Sequence, residues 1–279
     1  MSLKVFEWND LANNSSNPFK ESAIAIGVFD GIHLGHRELI KKVVLRGPNP
    51  AIVTFRENPK KYLSPDAYMG DLFSLKQKLT AFEQFGVNSV VLIDFSLNFS
   101  KISGKDFMDL LAERCRMVFL AIGSNFHCGY QKDTGAETIK EINERKGIQT
   151  KIIRELSLEP GKIPVSSSRL REAVYQGDLE TAALLTGRNF ELDLEGIKAD
   201  CFKKGNDDWL AFDFNFVKRI IPAEGSYCVL LQPGSREGII NIEKGKVFIT
   251  EGLATSKWSG GLNFKAKISS LEFIKKVPN

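Results

Sequence analysis

The sequence predicts an α/β domain built on a parallel sheet, followed by a smaller antiparallel β domain. Three observations carry this prediction. Short apolar runs alternate with amphipathic helical stretches across residues 22–153, the pattern of strands buried on both faces by crossover helices. One of those runs, Ala23-Ile24-Ala25-Ile26, stops at Gly27, turns through Asp30-Gly31 and enters a helical pattern that opens with His33 and His36. After Gly187-Arg188 the texture changes to short alternating runs with frequent glycine, which read as antiparallel strands. The boundary is placed there, with residues 1–187 as the first domain and 188–279 as the second.

In chain order, residues 3–8 read as a short edge strand and residues 9–17 as a polar, turn-rich loop ending in Asn13-Asn14-Ser15-Ser16-Asn17. Residues 22–28 form the first core strand, and residues 35–45 the first helix. Gly47-Pro48-Asn49-Pro50 breaks the chain, because proline removes a donor and glycine frees the backbone. Residues 51–55 are the next strand, and residues 56–70, with Pro59 and Pro65, are irregular. Leu75, Leu79, Phe82 and Phe85 recur at helical spacing, so residues 74–85 are an amphipathic helix that stops at Gly86. Strands at 87–95, 118–123 and 149–153 alternate with helices at 105–116 and 136–146. A loop carrying Pro160-Gly161 and Pro164 leads into a serine-rich helix start at 165–173. Gly177-Asp178 opens a second short helix that ends near Gly187. Residues 227–231, 238–242, 246–249 and 263–268 then read as strands, with residues 271–274 as the last.

The totals exclude several classes of function. The 279 residues carry a net charge of +4, with 26% charged and 43% hydrophobic residues, as in an ordinary globular protein. Basic residues occur as the doublets Lys41-Lys42, Lys60-Lys61 and Lys203-Lys204 rather than one patch, so no nucleic-acid partner is expected. Cys115, Cys128, Cys201 and Cys228 are far apart with no Cys-x-x-Cys pair, which argues against a zinc ribbon or redox motif. Free thiols in a reducing cytosol are the simplest account. Residues 1–20 lack a signal-peptide core, and no apolar run approaches the roughly 18 residues of a membrane span. A cytoplasmic protein without a membrane partner is expected.

The chemistry is expected where the first core strand hands over to its helix. Free N–H groups and the positive end of the helix dipole gather at such a point. Two of the three histidines in the chain, His33 and His36, stand there. Each imidazole offers a hydrogen bond to phosphate oxygens, which gain charge when a pyrophosphate leaves. No third histidine or carboxylate is tied to the pair by spacing, so no protein metal site is expected. The plain alternative is a buried polar residue beside a surface one.

The stretch Gly27-Val28-Phe29-Asp30-Gly31-Ile32-His33-Leu34-Gly35-His36 resembles the first motif of the prokaryotic FAD synthetases, the bifunctional riboflavin kinase/FMN adenylyltransferases. Three further blocks follow the family in order. Ser166-Ser167-Ser168-Arg169-Leu170-Arg171 is similar to its Ser-Ser-Thr-x-x-Arg block, with Ser168 for threonine. Gly123-Ser124-Asn125-Phe126-His127-Cys128-Gly129 is similar to its Gly-x-Asp/Asn-Phe-x-Phe-Gly loop, with Cys128 for an aromatic residue. Thr54-Phe55-Arg56-Glu57-Asn58-Pro59 stands at its Thr-Phe-x-Pro-His-Pro block, with Glu57 and Asn58 for Pro-His.

The resemblance implies a Rossmann-like nucleotidyltransferase domain followed by a small β-barrel, a reduced riboflavin-kinase module. It implies transfer of AMP from ATP to FMN, with Mg²⁺ accompanying ATP. It assigns catalysis to His33, His36 and Arg171, ATP binding to Gly27, Phe29, Asp30, His33, His36, Asn125, Ser167, Ser168 and Arg171, and flavin binding to Asn58 and Asn125. Asp30 also reads as a turn former, and the serines as a helix cap. The family's kinase motif Gly-x-Pro-Thr-Ala-Asn is missing, and residues 208–216 read Asp-Trp-Leu-Ala-Phe-Asp-Phe-Asn-Phe in its place. Riboflavin kinase activity is therefore expected to be absent. Two other readings stay open: transfer to another phosphate monoester, or a flavin or nucleotide binder without catalysis.

Overall fold

A computed structural model of the protein describes residues 2–13, 19–47, 49–95, 99–158, 163–205, 207–250 and 268–277. The expected loop at 14–17, Pro48, Pro160-Gly161 and all of the expected 263–268 strand except Ile268 lie outside the described residues. The chain divides into two units, one of Met1–Tyr68 with Leu75–Val165, the other of Met69–Ser74 with Ser166–Asn279. The change of texture at 187/188 thus follows the division at 165/166 by two helices.

The first unit holds six parallel strands: β1 (Lys4–Glu7), β2 (Ser22–Ile26), β3 (Pro50–Phe55), β4 (Ser89–Ile93), β5 (Met117–Gly123) and, beyond a two-residue hairpin of β6 (His127–Cys128) and β7 (Thr134–Gly135), β8 (Gln149–Ile153). Their order is β1-β4-β3-β2-β5-β8. Every residue of β2 and β4 is buried, as unbroken apolar runs demand when helices cover both faces. The core joins Ile24, Ile26, Val53, Val91, Ile93, Leu120 and Ile122 of the sheet to Phe107, Met108 and Leu111 of a covering helix. Each such side chain contributes roughly 1.5–3 kcal/mol on burial.

The helices of this unit are α1 (Trp8–Asn13), α2 (Leu34–Arg46), α3 (Lys60–Leu63), α4 (Leu75–Gln84), α5 (Gly104–Arg114) and α6 (Ala136–Glu144). Two of them correct the sequence reading. Residues 9–13, expected as loop, are helical because Trp8 and Leu11 are anchored in the core. Residues 60–63 form α3 inside the stretch expected to be irregular; Asn58 Oδ1 accepts from Lys60 N at 3.1 Å and starts its turn. In α1 a tertiary anchor overrides polar composition, and in α3 the local Asx turn of Asn58 opens the helix.

In the second unit, α7 (Ser167–Gln176) and α8 (Leu179–Thr186) precede a seven-stranded antiparallel sheet. Its strands are β9 (Phe190–Asp193), β10 (Ala199–Lys204), β11 (Asp207–Asp213), β12 (Gly225–Gln232), β13 (Arg236–Glu243), β14 (Lys246–Thr250) and β15 (Ser270–Lys276). They run in the order β10-β11-β14-β13-β12-β15-β9, a curled half-barrel. Strands β9, β10 and β11 were not singled out from sequence; five of the six residues of β10 are exposed, so alternation gives no signal there. In β12 burial does alternate, with Tyr227, Val229 and Leu231 inward. Residues 69–74 join this unit through Asp71, whose N–H donates to Lys218 O at 2.9 Å and whose carbonyl accepts from Ile220 N at 3.0 Å.

Candidate active site

Strand order puts the candidate site at the sheet's reversal. From β2 the chain steps outward to β3 and then β4, and only then crosses to β5 on the other side of β2. The carboxyl ends of β2 and β5 therefore flank a topological switch point, the place where open α/β sheets bind ligands. The segment after β2 carries His33 and His36, and the segment after β5 carries Asn125.

The turn after β2 is built against local preference. Phe29, Gly31 and Ile32 all have positive φ, at 53°, 79° and 40°. Glycine takes this conformation freely, but a bulky or β-branched residue is strained there. Complete burial of Phe29 and Ile32 offsets the strain. Phe29 wedges between Phe82, edge-on at 5.5 Å, and His36 at 5.0 Å. Thr54 Oγ1 donates to Val28 O at 3.1 Å and ties the turn to β3.

His33 is the N-cap of α2, and its Nδ1 accepts from His36 N at 3.4 Å. With Nδ1 an acceptor, the neutral ring carries its proton on Nε2. The two rings stack, with centroids 3.7 Å apart. Burial lowers His33 to about 4. His36 is also pushed well below the usual histidine value, first by burial and then by the charges of His33 and Lys78. Both rings are therefore neutral near pH 7, and each acts as a hydrogen-bond donor without net charge. The buried His36 Nδ1 has no hydrogen-bond partner in the folded chain, which leaves it available to a water or a ligand.

The other expected residues fall as follows. Gly27 receives the Phe29 ring: a Cβ there would lie 3.2 Å from it. Asp30 is buried in the turn. Asn125 is exposed after β5 and its amide donates to Glu155. Asn58 is buried, with Oδ1 engaged in the α3 turn. Glu57, which replaces the family proline, is held by Lys61 at 2.6 Å and by Tyr62, and these bonds lower its carboxyl. Cys128 packs half-buried against the core; burial lifts its thiol to about 12, which excludes a thiolate nucleophile near neutral pH.

In the second unit, Ser166 caps α7 by accepting from Arg169 N at 3.2 Å. Ser167 and Ser168 are the first two residues of that helix. Arg171 is buried; its Nε donates to Gly70 O at 3.0 Å and its Nη1 to Ser167 O at 3.3 Å. The first fact favours the capping account of the serines for Ser166 alone.

The sequence reading missed Lys78. It is buried on α4 beside Ala81 and Phe82. Its spacing was a usable signal, since Lys78 lies three residues after Leu75 and four before Phe82, on the apolar stripe itself.

Fold and site define the class: an α/β nucleotidyltransferase-like domain with a histidine pair at its switch point, followed by an antiparallel half-barrel. The family model for FAD synthetase matches residues 15–169. The chain belongs to the FAD synthetase family. Among curated relatives, it is 27% identical over 176 residues to a bifunctional riboflavin kinase/FMN adenylyltransferase of Buchnera aphidicola, covering 61% of this chain and 56% of that protein. It is 29% identical over 234 residues to the Bacillus subtilis protein of the same name, covering 80% of this chain and 72% of that one. The chain thus spans little more than half of the Buchnera relative. A solved structure described as a macrolide-efflux protein from Streptococcus pneumoniae shares the fold, with a TM-score of 0.79 at 18% identity over 100% of this chain and 92% of that one. No helix among the described residues is long and apolar enough to cross a membrane.

Proposed function

We propose that this chain is an FMN adenylyltransferase. An oxygen of the FMN phosphate attacks the α-phosphorus of ATP, the bond from that phosphorus to the bridging β-oxygen breaks, and pyrophosphate leaves as FAD forms. The acceptor supplies its own nucleophile, so the protein's task is positioning and charge stabilisation. The observation that carries this reading is the stacked, neutral histidine pair at the start of α2, on the family's ten-residue motif. His33 and His36 donate to the ATP phosphates. Ser167, Ser168 and Arg171 form a second phosphate-binding element by the family pattern, and Asn125 borders the nucleotide and flavin. Mg²⁺ enters with the ATP phosphates. Among the described residues no cluster of three His, Cys, Asp or Glu side chains forms a cage for it, and this ion is commonly held through substrate phosphates and water.

The half-barrel is proposed to lack riboflavin kinase activity. The place of the family's kinase motif is taken by β11 and the turn after it, where Asp213 accepts from Asn215 N at 3.0 Å and pairs with Lys246 at 3.1 Å. The test is incubation with ATP, Mg²⁺ and either FMN or riboflavin, with products separated by chromatography. FAD from FMN supports the reading; FMN from riboflavin refutes the kinase statement. Glu57 and Asn58 favour a second acceptor as the alternative, so a panel of phosphate monoesters with ATP and CTP is scored for pyrophosphate. Flavin binding without any pyrophosphate would point instead to a binder.

A further inference from the structure

Lys78 occupies a place where an apolar residue would serve the fold better. It is 5% exposed, and lysine is rarely buried to that degree without a partner or a task. Its ammonium donates to Phe55 O at 2.9 Å, at the carboxyl end of β3. That end adjoins the histidine turn, since Gly27 N donates to Val53 O at 3.2 Å and Thr54 Oγ1 to Val28 O. One helical turn beyond Lys78, Phe82 meets Phe29, and Phe29 meets His36. Both the end of β3 and the aromatic wedge therefore set α4, with Lys78 on it, against the turn that carries the histidine pair.

Both imidazoles are neutral near pH 7, while donor and acceptor are polyanions, so the positive charge facing them comes from elsewhere, in part from the Mg²⁺ and Arg171 proposed above. Among the described residues, the buried lysine and arginine side chains are Lys78 in the first unit and Arg171 in the second. The buried cation of the histidine-bearing unit is therefore Lys78.

We propose that Lys78 is an electrostatic positioning residue, whose ammonium supplies the positive field behind His33 and His36 and thereby stabilises the phosphate oxygens that gain charge as pyrophosphate leaves. This rests on the nucleotidyl-transfer reading of the same site. After burial, the Lys78 charge is among the causes that hold His36 well below the usual histidine value. His33 stacks on the His36 ring from the helix cap and Phe29 packs on it from the turn; the charges acting on it are those of His33, when protonated, and of Lys78 on α4, and the buried Asp30 belongs to that same turn. In hydrocarbon-like surroundings such a charge acts at longer range than in water.

The test compares Lys78→Met and Lys78→Arg with the parent chain, using a cooperative thermal transition to establish folding. The chain has three histidines, so each imidazole can be followed through a pH titration by NMR without substrate. In Lys78→Met the His36 midpoint rises, and turnover of FMN to FAD falls about tenfold or more while KM for ATP changes little. Lys78→Arg restores both. A folded Lys78→Met whose His36 midpoint stays in place, or whose turnover lies within about twofold of the parent, overturns the proposal. If Lys78→Met does not fold, Lys78→Gln is measured against the same outcomes. If the parent makes no FAD, the transfer reading fails by itself, and the His36 midpoint still decides whether Lys78 supplies the field.

Discussion

The His33 and His36 rings lie face to face, 3.7 Å between centroids and 19° between planes. Two cationic imidazoles would repel at that distance, so the stack requires at least one neutral ring, and burial supplies that condition for both. The stack sets the role proposed for the pair, which is hydrogen-bond donation to phosphate rather than ion pairing. Loss of one donor from such an arrangement is expected to cost about 10²–10³ in turnover. His33→Ala and His36→Ala are each expected to lose that much FAD formation. His33→Asn separates cap from chemistry: asparagine is a good N-cap, so thermal stability returns while turnover does not.

Acid stability follows from the same burial. The His33 value is lowered from 6.5 to about 4, so between those limits the unfolded chain binds the proton and the folded chain does not. Stability contributed by this group is complete above pH 6.5 and falls as the pH drops toward 4, by roughly 3 kcal/mol in total. His36 acts in the same direction. Chemical denaturation at pH 7.5 and pH 5 is expected to show a smaller loss for His33→Gln than for the parent; an equal loss contradicts the buried neutral ring.

Gly35 tests ring placement apart from stability. A Cβ at this position would sit 3.2 Å from Cε1 and Nδ1 of His33. That is tighter than ordinary contact, so the imidazole must shift by a few tenths of an ångström to admit the methyl group. Alanine is the better helix former, by up to about 1 kcal/mol. Gly35→Ala is expected to keep or raise the melting temperature and to lower turnover roughly tenfold through the displaced imidazole, measured by scanning calorimetry and initial rates.

Arg171 is bound into the second unit by two backbone carbonyls, Gly70 O through Nε and Ser167 O through Nη1. Lysine offers a single flexible ammonium in place of this planar fork. Arg171→Lys is expected to destabilise the folded chain by roughly 1–3 kcal/mol, read from urea midpoints. Turnover measured at a temperature where the variant is fully folded then reports any phosphate role separately.

Local pattern was enough for much of this molecule. The unbroken apolar runs required a parallel sheet, and β8 begins and ends where its spacing placed it, at Gln149 and Ile153. The motif around His33 and His36 marked the family and the candidate site, and several of its residues have a readable reason. Glycine serves the reversal at Gly31, aromatic bulk fills the wedge at Phe29, and imidazole stands at the helix start. Where a segment draws its conformation from distant partners, the pattern was silent. Helix α1 exists because Trp8 and Leu11 reach the core, and β10 carries almost no inward face of its own.

By itself, then, the sequence determined the order of elements, the switch from parallel to antiparallel texture, and the histidine pair with its family. Tertiary structure alone decided three things: that the two rings stack and are held low by burial, that Lys78 lies buried on α4, and that residues 69–74 belong with the half-barrel. The reason is physical. Propensity and periodicity are properties of neighbouring residues, whereas a pKa, a buried charge and a strap between strands depend on atoms that only folding brings together.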